Sequence, residues 1–362
     1  MDFIPGLELC RLFYEEAVRP ILSDAFPGLR YSAARIGSGS DVLGYDTEMS
    51  TDHDWGPSLL LFVDGEDARR VGEAIRETLG RRLPREFRGY STGYALNEDG
   101  TLKLQAADSP NIAHRVEVIS VERFVEGFLG FDIRSEIQPA DWLSFPEQKL
   151  LAITSGAVFH DGIGLQAVRD RFAYFPRDVW LYLLAAGWNR IGQEEHLMGR
   201  AGFVGDELGS AIVGGRLARD VMRLCFLMER RYAPYPKWLG TAFRRLACSR
   251  DLEPILRRAV CAETWQVREK ELTTAYESAA KMHNGLGLTE PLPVNAAPFH
   301  GRPFKVIHLG SDFAGALVRQ IHDPAVRRLA DGRLLGSIDQ ISDNTDLLCG
   351  VEWRGAIRRL YE

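Results

Sequence analysis

Apolar residues recur at helical spacing near the start of the chain, at Leu7, Cys10, Leu12, Phe13, Val18 and Ile21. This predicts an amphipathic helix from Leu7 to Phe26, kinked or split by Pro20. The pattern then shortens. Tyr31 to Ile36 is a compact apolar run closed by the turn series Gly37-Ser38-Gly39-Ser40, and it reads as a strand followed by a tight loop. A second apolar run, Ser58-Leu59-Leu60-Leu61-Phe62-Val63, reads as a strand opened by the pair Asp52-His53-Asp54. Asp67 to Leu79 predicts a helix closed by Gly80. Tyr90 to Leu96 and Thr101 to Gln105 flank the turn Asn97-Glu98-Asp99-Gly100 as a strand pair. Arg115-Val116-Glu117-Val118-Ile119-Ser120 alternates with period two, which predicts a strand carrying one acid, Glu117, opposite its valine neighbours.

After about residue 138 the texture changes. Helical patterns run from Glu147 to Phe159, Arg177 to His196, Gly205 to Tyr232, Pro236 to Ala247 and Leu252 to His283, and strand signals almost vanish. The fold class expected is an α/β (α+β) N-terminal domain with a mixed sheet, residues 1–138, followed by an all-α helical bundle, residues 139–290. Residues 291–362 begin with Pro291, Pro293 and Pro298 and contain the apolar run Phe304 to Leu309. They are expected to pack on the other two segments, and the bundle is expected to face the first domain across a cleft.

Composition narrows the class of partner. A net charge of −6 speaks against a broad basic surface for long nucleic acid. No run approaches the roughly 20 apolar residues of a membrane helix. The five cysteines are scattered and never spaced C-x-x-C, which suits reduced thiols and a cytoplasmic setting.

The acids are the candidate chemistry. On a strand, Asp52 and Asp54 would project to one face. Two adjacent carboxylates repel unless a cation lies between them. Magnesium takes hard oxygen ligands, and carboxylates that hold it can serve phosphoryl transfer. Glu117 is the natural third acid, because an acid in an otherwise buried strand is costly unless paired or metal-bound; a paired structural acid is the other reading. Glu194-Glu195-His196 lacks the spacing of a zinc protease. Gly202 to Glu207 reads as a helix-initiating turn, and Asp339, Asp343 and Asp346 read as caps of turns and short helices. The aromatics Phe172, Tyr174, Phe175, Trp180, Tyr182 and Trp188 read as bundle core.

An apolar residue, Gly-Ser, a spacer, an acid pair and a later acid flanked by apolar residues is a pattern that resembles the nucleotidyltransferase superfamily related to DNA polymerase beta, which includes the aminoglycoside nucleotidyltransferases. The matching residues are Gly37, Ser38, Asp52, Asp54 and Glu117. More narrowly, the chain resembles the DUF4037 group through Gly37 to Asp41, Asp52 to Pro57, Tyr232 to Leu239 and Gly336 to Gln340. The resemblance implies a nucleotidyltransferase-like first domain that moves a nucleoside monophosphate, AMP from ATP, onto an acceptor hydroxyl. It implies phosphate contacts from Gly37, Ser38 and Ser40, magnesium on Asp52 and Asp54, and Glu117 as a third ligand or general base. The sequence departs from the pattern at His53, where relatives carry an apolar residue. It also departs after the turn, where Asp41-Val42-Leu43-Gly44 replaces a basic residue. Lys237, at the start of a helix, is the candidate to neutralise the triphosphate, with a lysine lying along Trp238 as the plain alternative. The acceptor is expected to be a small molecule or a protein rather than long nucleic acid, with no membrane partner. A non-catalytic nucleotide-binding protein on the same fold is the alternative.

Overall fold

The computed structural model describes residues 3–98, 100–105 and 111–362. Helix α1 (Gly6–Phe13) passes through a π-type turn, Tyr14–Val18, into α2 (Arg19–Ala25). The Arg19 N–H reaches back five residues to the Tyr14 carbonyl. Pro20, lacking an N–H, follows at the second position of α2, so the expected helix is split where the proline dictates. Then come β1 (Tyr31–Arg35), β2 (Ser58–Val63) and α3 (Gly65–Arg82), two short strands β3 (Glu86–Phe87) and β4 (Tyr90–Ser91), and the hairpin β5 (Gly93–Leu96) and β6 (Leu102–Gln105). The hairpin is the expected pair from Gly93 onward, whereas Tyr90 and Ser91 pair with β3 instead; Asp99 of its turn lies outside the described residues. The chain continues through β7 (Arg115–Ile119), α4 (Val121–Leu129), α5 (Pro139–Ser144), α6 (Glu147–Thr154), β8 (Ala157–Asp161) and α7 (Leu165–Asp170). The long helices follow: α8 (Arg177–Phe203), α9 (Glu207–Met228), α10 (Pro236–Phe243), α11 (Ser249–Val260) and α12 (Trp265–Gly285).

Three expectations need correction. Helix α3 does not stop at Gly80 but runs on to Arg82. Gly80 is needed for close approach instead: its carbonyl accepts the Ile112 N–H at 2.8 Å, and a Cβ there would press on the Asn111 side chain. The helix expected from Glu147 to Phe159 ends at Thr154. Gly156, in the left-handed region at φ +69°, turns the chain into β8 and donates its N–H to the Val42 carbonyl at 3.0 Å. The helix expected from Leu252 to His283 is two, α11 and α12, parted at residues 261–264.

The chain forms two compact units. The first comprises residues 1–136 and 149–173, the second residues 137–148 and 174–362, so a single cut near residue 138 does not separate them. The first unit is built on a four-stranded mixed sheet of order β7-β2-β1-β8. β1 is antiparallel to both β2 and β8, and β2 is parallel to β7 with Leu60 opposite Glu117. One face carries Leu59, Leu61, Val63, Ala33 and Val116, buried under Leu9, Phe13, Ile75 and Leu79 of the helices. On the other face Phe62 meets Phe124 of α4 edge-on at 5.3 Å. Helix α4 is capped by Ser120, which accepts the Arg123 N–H, and ended by Gly130 at φ +66°.

The second unit is dominated by α8 and α9, with α11 and α12 packed against α9 and α12 also against α8. Leu181, Leu184, Leu217, Val221, Leu272 and Tyr276 fill its interior. Trp180, Tyr182 and Trp188 are core, as their helical spacing suggested. A pair of two-residue strands, Ala297–Pro298 and Lys305–Val306, makes this unit predominantly rather than wholly helical. Among the described residues no helix is long and apolar enough to cross a membrane.

Candidate functional site

Topology brings the sequence candidates of the first unit to one end of its sheet. The chain leaves β1 where it enters antiparallel β2, and parallel β7 starts at that same end. The turn after β1, the loop before β2 and the first residues of β7 therefore gather there.

The turn is braced from inside. Arg35, the last residue of β1, is buried, and its guanidinium grips Asp41 with two bonds, Nε to Oδ2 at 2.7 Å and Nη2 to Oδ1 at 2.9 Å. The same Nη2 donates to the Ser38 carbonyl at 3.2 Å. Burial works against the Arg35 charge, but Asp41 outweighs it and keeps the guanidinium protonated. Gly37 and Gly39 stand at φ +92° and +146°. A Cβ on Gly39 would also lie 2.6 Å from Arg35 Nη2, so the brace itself requires glycine. The Gly37 N–H is committed to the Ala152 carbonyl at 3.0 Å. The backbone N–H groups of Ser38, Gly39 and Ser40, and both serine hydroxyls, have no hydrogen-bond partner among the described residues.

The loop from Asp41 to Pro57 is equally anchored. Asp46 accepts the Gly6 N–H at the start of α1 and the Trp55 indole N–H at 2.9 Å. Thr47 and Ser50 form a capping box on a 3₁₀ turn, Glu48–Asp52. Tyr94 Oη donates to the Pro57 carbonyl at 3.2 Å.

Asp52 and Asp54 do not sit on a strand. Asp52 ends the 3₁₀ turn, Asp54 is in the left-handed region at φ +51°, and β2 begins only at Ser58. The buried Trp55 and the Gly56-Pro57 turn intervene, so the two carboxylates do not share a strand face. Asp52 is exposed and pairs with His53 Nδ1 at 3.0 Å. Against a residual desolvation penalty, bonds from the His53 ring and backbone hold the Asp52 carboxyl below its ordinary value. Asp54 pairs with β6: its N–H donates to the Leu102 carbonyl at 2.7 Å and its Oδ1 accepts the Leu102 N–H at 3.2 Å. Glu117 is exposed on β7, an edge strand of the sheet, rather than buried, which removes the burial argument for its pairing.

Arg115, two residues before Glu117, lies 3.9 Å from Asp54 and beside the Tyr94 ring. Its Nη1 is buried and has no partner among the described residues. Period-two alternation puts Arg115 and Glu117 on one face of β7. Neither Arg35 nor Arg115 was marked by the sequence pattern, although each puts a cation at the end of an apolar strand, beside Asp41 and Asp54 respectively. The acids suit magnesium in kind and in exposure, being hard oxygen donors. They are not drawn together: among the described residues no group of three His, Cys, Asp or Glu is arranged to hold a metal ion.

In the second unit Lys237 occupies the first turn of α10. It is exposed, and its Nζ lies 5.1 Å from the Trp238 ring centroid. Asp339 receives the first N–H of α6, that of Glu147 at 2.8 Å, as a cap would, but from a buried position. It lies 3.7 Å from Arg223. Glu147 completes the cluster, 3.2 Å from Arg223 and accepting the Ala233 N–H at 2.9 Å. Burial, reinforced by Asp339, pushes the Glu147 carboxyl up to about 7.

No curated protein matches the chain significantly. The segment that does match a family model begins in α5, ends in α10 and includes Glu147, Arg223 and Lys237 but none of Asp52, Asp54 and Glu117. Over residues 142–239 the chain is similar to the family described as Domain of unknown function (DUF4037).

Proposed function

We propose that the first unit is a magnesium-dependent nucleotidyltransferase that moves a nucleoside monophosphate, AMP from ATP, onto a hydroxyl of an acceptor. The observation that carries this reading is the braced turn, with three successive unengaged N–H groups and two unengaged hydroxyls at Ser38, Gly39 and Ser40. Successive backbone N–H groups in a turn make a concavity of partial positive charge suited to phosphate oxygens. Arg115, with an unpartnered Nη1, adds a full positive charge near Asp54, and this offsets the missing basic residue after the turn. The acceptor oxygen would bond to the α-phosphorus as the bond to the leaving pyrophosphate breaks, and Glu117 is the exposed acid on hand to take the hydroxyl proton. Magnesium, when bound, would neutralise charge on the triphosphate, with Asp52 and Asp54 the carboxylates to hold it. The acidic balance of the chain favours a small molecule or a protein as acceptor.

A second reading, nucleotide binding without turnover, is favoured by the engagement of Asp54 with Leu102 and by the ungathered acids. One experiment separates the two. The protein is incubated with magnesium, ATP labelled at the α-phosphate and cell extract, beside Asp52→Ala and Asp54→Ala variants. Label transfer by the wild type alone supports catalysis. ATP-dependent thermal stabilisation without transfer supports binding alone. Equal ATP affinity in all three proteins, with no transfer, would overturn the metal role of the aspartates.

A further inference from the structure

Helix α8 of the second unit presents Trp188, Asn189, Gly192, Gln193 and Glu195 toward one side, a spacing of helical period. Trp188, Asn189, Gly192 and Gln193 line a cleft of about 290 Å³ together with residues 307–308 and 311–314, and Glu195 lies buried behind it. One wall of the cleft is held by a Glu195–His308 dyad. The Glu195 side chain is fully buried, yet both its oxygens are occupied from the segment that forms the opposite wall. Oε2 accepts the Ile307 N–H at 2.6 Å, and Oε1 accepts the His308 N–H at 3.1 Å and faces His308 Nδ1. Gly192 makes room, since a Cβ there would lie 3.2 Å from that of His308. Nε2 of the same ring has no partner among the described residues, and in the tautomer that directs Nδ1–H at the carboxylate it is free to accept.

The remaining lining defines what can enter. Trp188 is stacked on Phe313 at 4.3 Å and held by its indole N–H, which donates to His283 Nδ1 at 3.2 Å. Burial keeps His283 in its neutral, accepting form, with a value near 4. This gives the cleft a rigid apolar floor. The amides of Asn189 and Gln193 have no partner among the described residues, and each offers both a donor and an acceptor. Among the described residues no lysine or arginine lines the cleft. Asp312, the one lining carboxylate among the described residues, accepts the Gly315 N–H with one oxygen and lies 3.7 Å from Arg319. A phosphate or carboxylate meets no lining lysine or arginine here, Arg319 being engaged with Asp312 at the edge, and a strong cation finds only that partly neutralised acid.

From this geometry we infer that the cleft is a binding site for a small uncharged hydroxyl-bearing molecule of monosaccharide size. His308 Nε2 accepts from one ligand hydroxyl, the Asn189 and Gln193 amides bond others, and the apolar floor carries the ligand's C–H face. The site is independent of the nucleotide reading of the first unit.

Ligand-observed NMR on the 362-residue chain tests it, with D-glucose and myo-inositol as neutral probes and glucose 6-phosphate and glucosamine as charged ones. Saturable binding of a neutral probe, weakened roughly tenfold by His308→Ala or Gln193→Ala at unchanged melting temperature, is the expected result. Glu195→Gln is expected to weaken binding too while lowering stability, because it loosens the 307–308 wall. The inference is overturned if neither neutral probe saturates, if both side-chain deletions leave binding intact, or if glucose 6-phosphate binds more tightly than glucose.

Discussion

Arg35 and Asp41 are two charges that burial would penalise singly and that stabilise the turn only together. Asp41→Asn leaves a buried guanidinium without its counter-charge, and a loss of about 3–5 kcal/mol in urea denaturation is expected. Arg115→Ala should leave the fold in place and raise the KM for ATP roughly tenfold or more, through loss of a charge-assisted bond to phosphate. An unchanged KM in a transfer assay would remove Arg115 from the site. Glu147 carries a pH dependence of definite sign. Its folded-state value of about 7 lies above the ordinary 4.5, so the native state binds the extra proton between these values. Stability from this group is complete below 4.5 and is lost as pH rises toward 7. Glu147→Gln, which retains an oxygen for the Ala233 N–H, should flatten the fall in unfolding free energy across that window. Of these residues the sequence displayed only the acids near the turn. Arg35 and Arg115 looked like strand residues because their meaning depends on Asp41 and Asp54, which approach them through turns and not through periodicity.

Elements were readable where the chain carries one unambiguous period or a short apolar run, as in β1 and β2, which are buried on both faces. β1, β2, the β5–β6 hairpin and β7 followed from alternation or short apolar runs, and the split at Pro20 followed from its missing N–H. β8 escaped because Ala157, Val158 and Phe159 continue the apolar spacing of α6, so helix and strand periods overlap. Gly156 decides between them, through a carbonyl that is distant in sequence. Its Cβ position lies against the Arg35 carbonyl oxygen, and its φ is +69°. Gly156→Ala should therefore cost roughly 2–4 kcal/mol, combining backbone overlap with left-handed strain, as read by thermal or denaturant unfolding. The aspartate pair was misplaced by a related ambiguity. Trp55-Gly56-Pro57 extends the apolar approach to β2 without being part of it, and the left-handed backbone at Asp54 is not written in its neighbours.

At the scale of the whole molecule, the two units are interleaved along the chain, with residues 137–148 belonging to the second while 149–173 return to the first. A fragment ending at residue 138 lacks β8 and exposes the edge of β1. It should be recovered as aggregate, in contrast to the full chain on size exclusion. The short segment 137–148 has a further consequence. Buried Asp141 in α5 is paired with Arg354 and with Arg358, the latter at 2.9 Å, partners 213 and 217 residues further on. During synthesis, α5 emerges long before either guanidinium exists. A prematurely terminated product ending before Arg354 would thus keep an acid in a place built for neutralisation. Such a product should be far more sensitive to pulse proteolysis than the full chain, which would let the cell discard unfinished copies by a fault they carry internally.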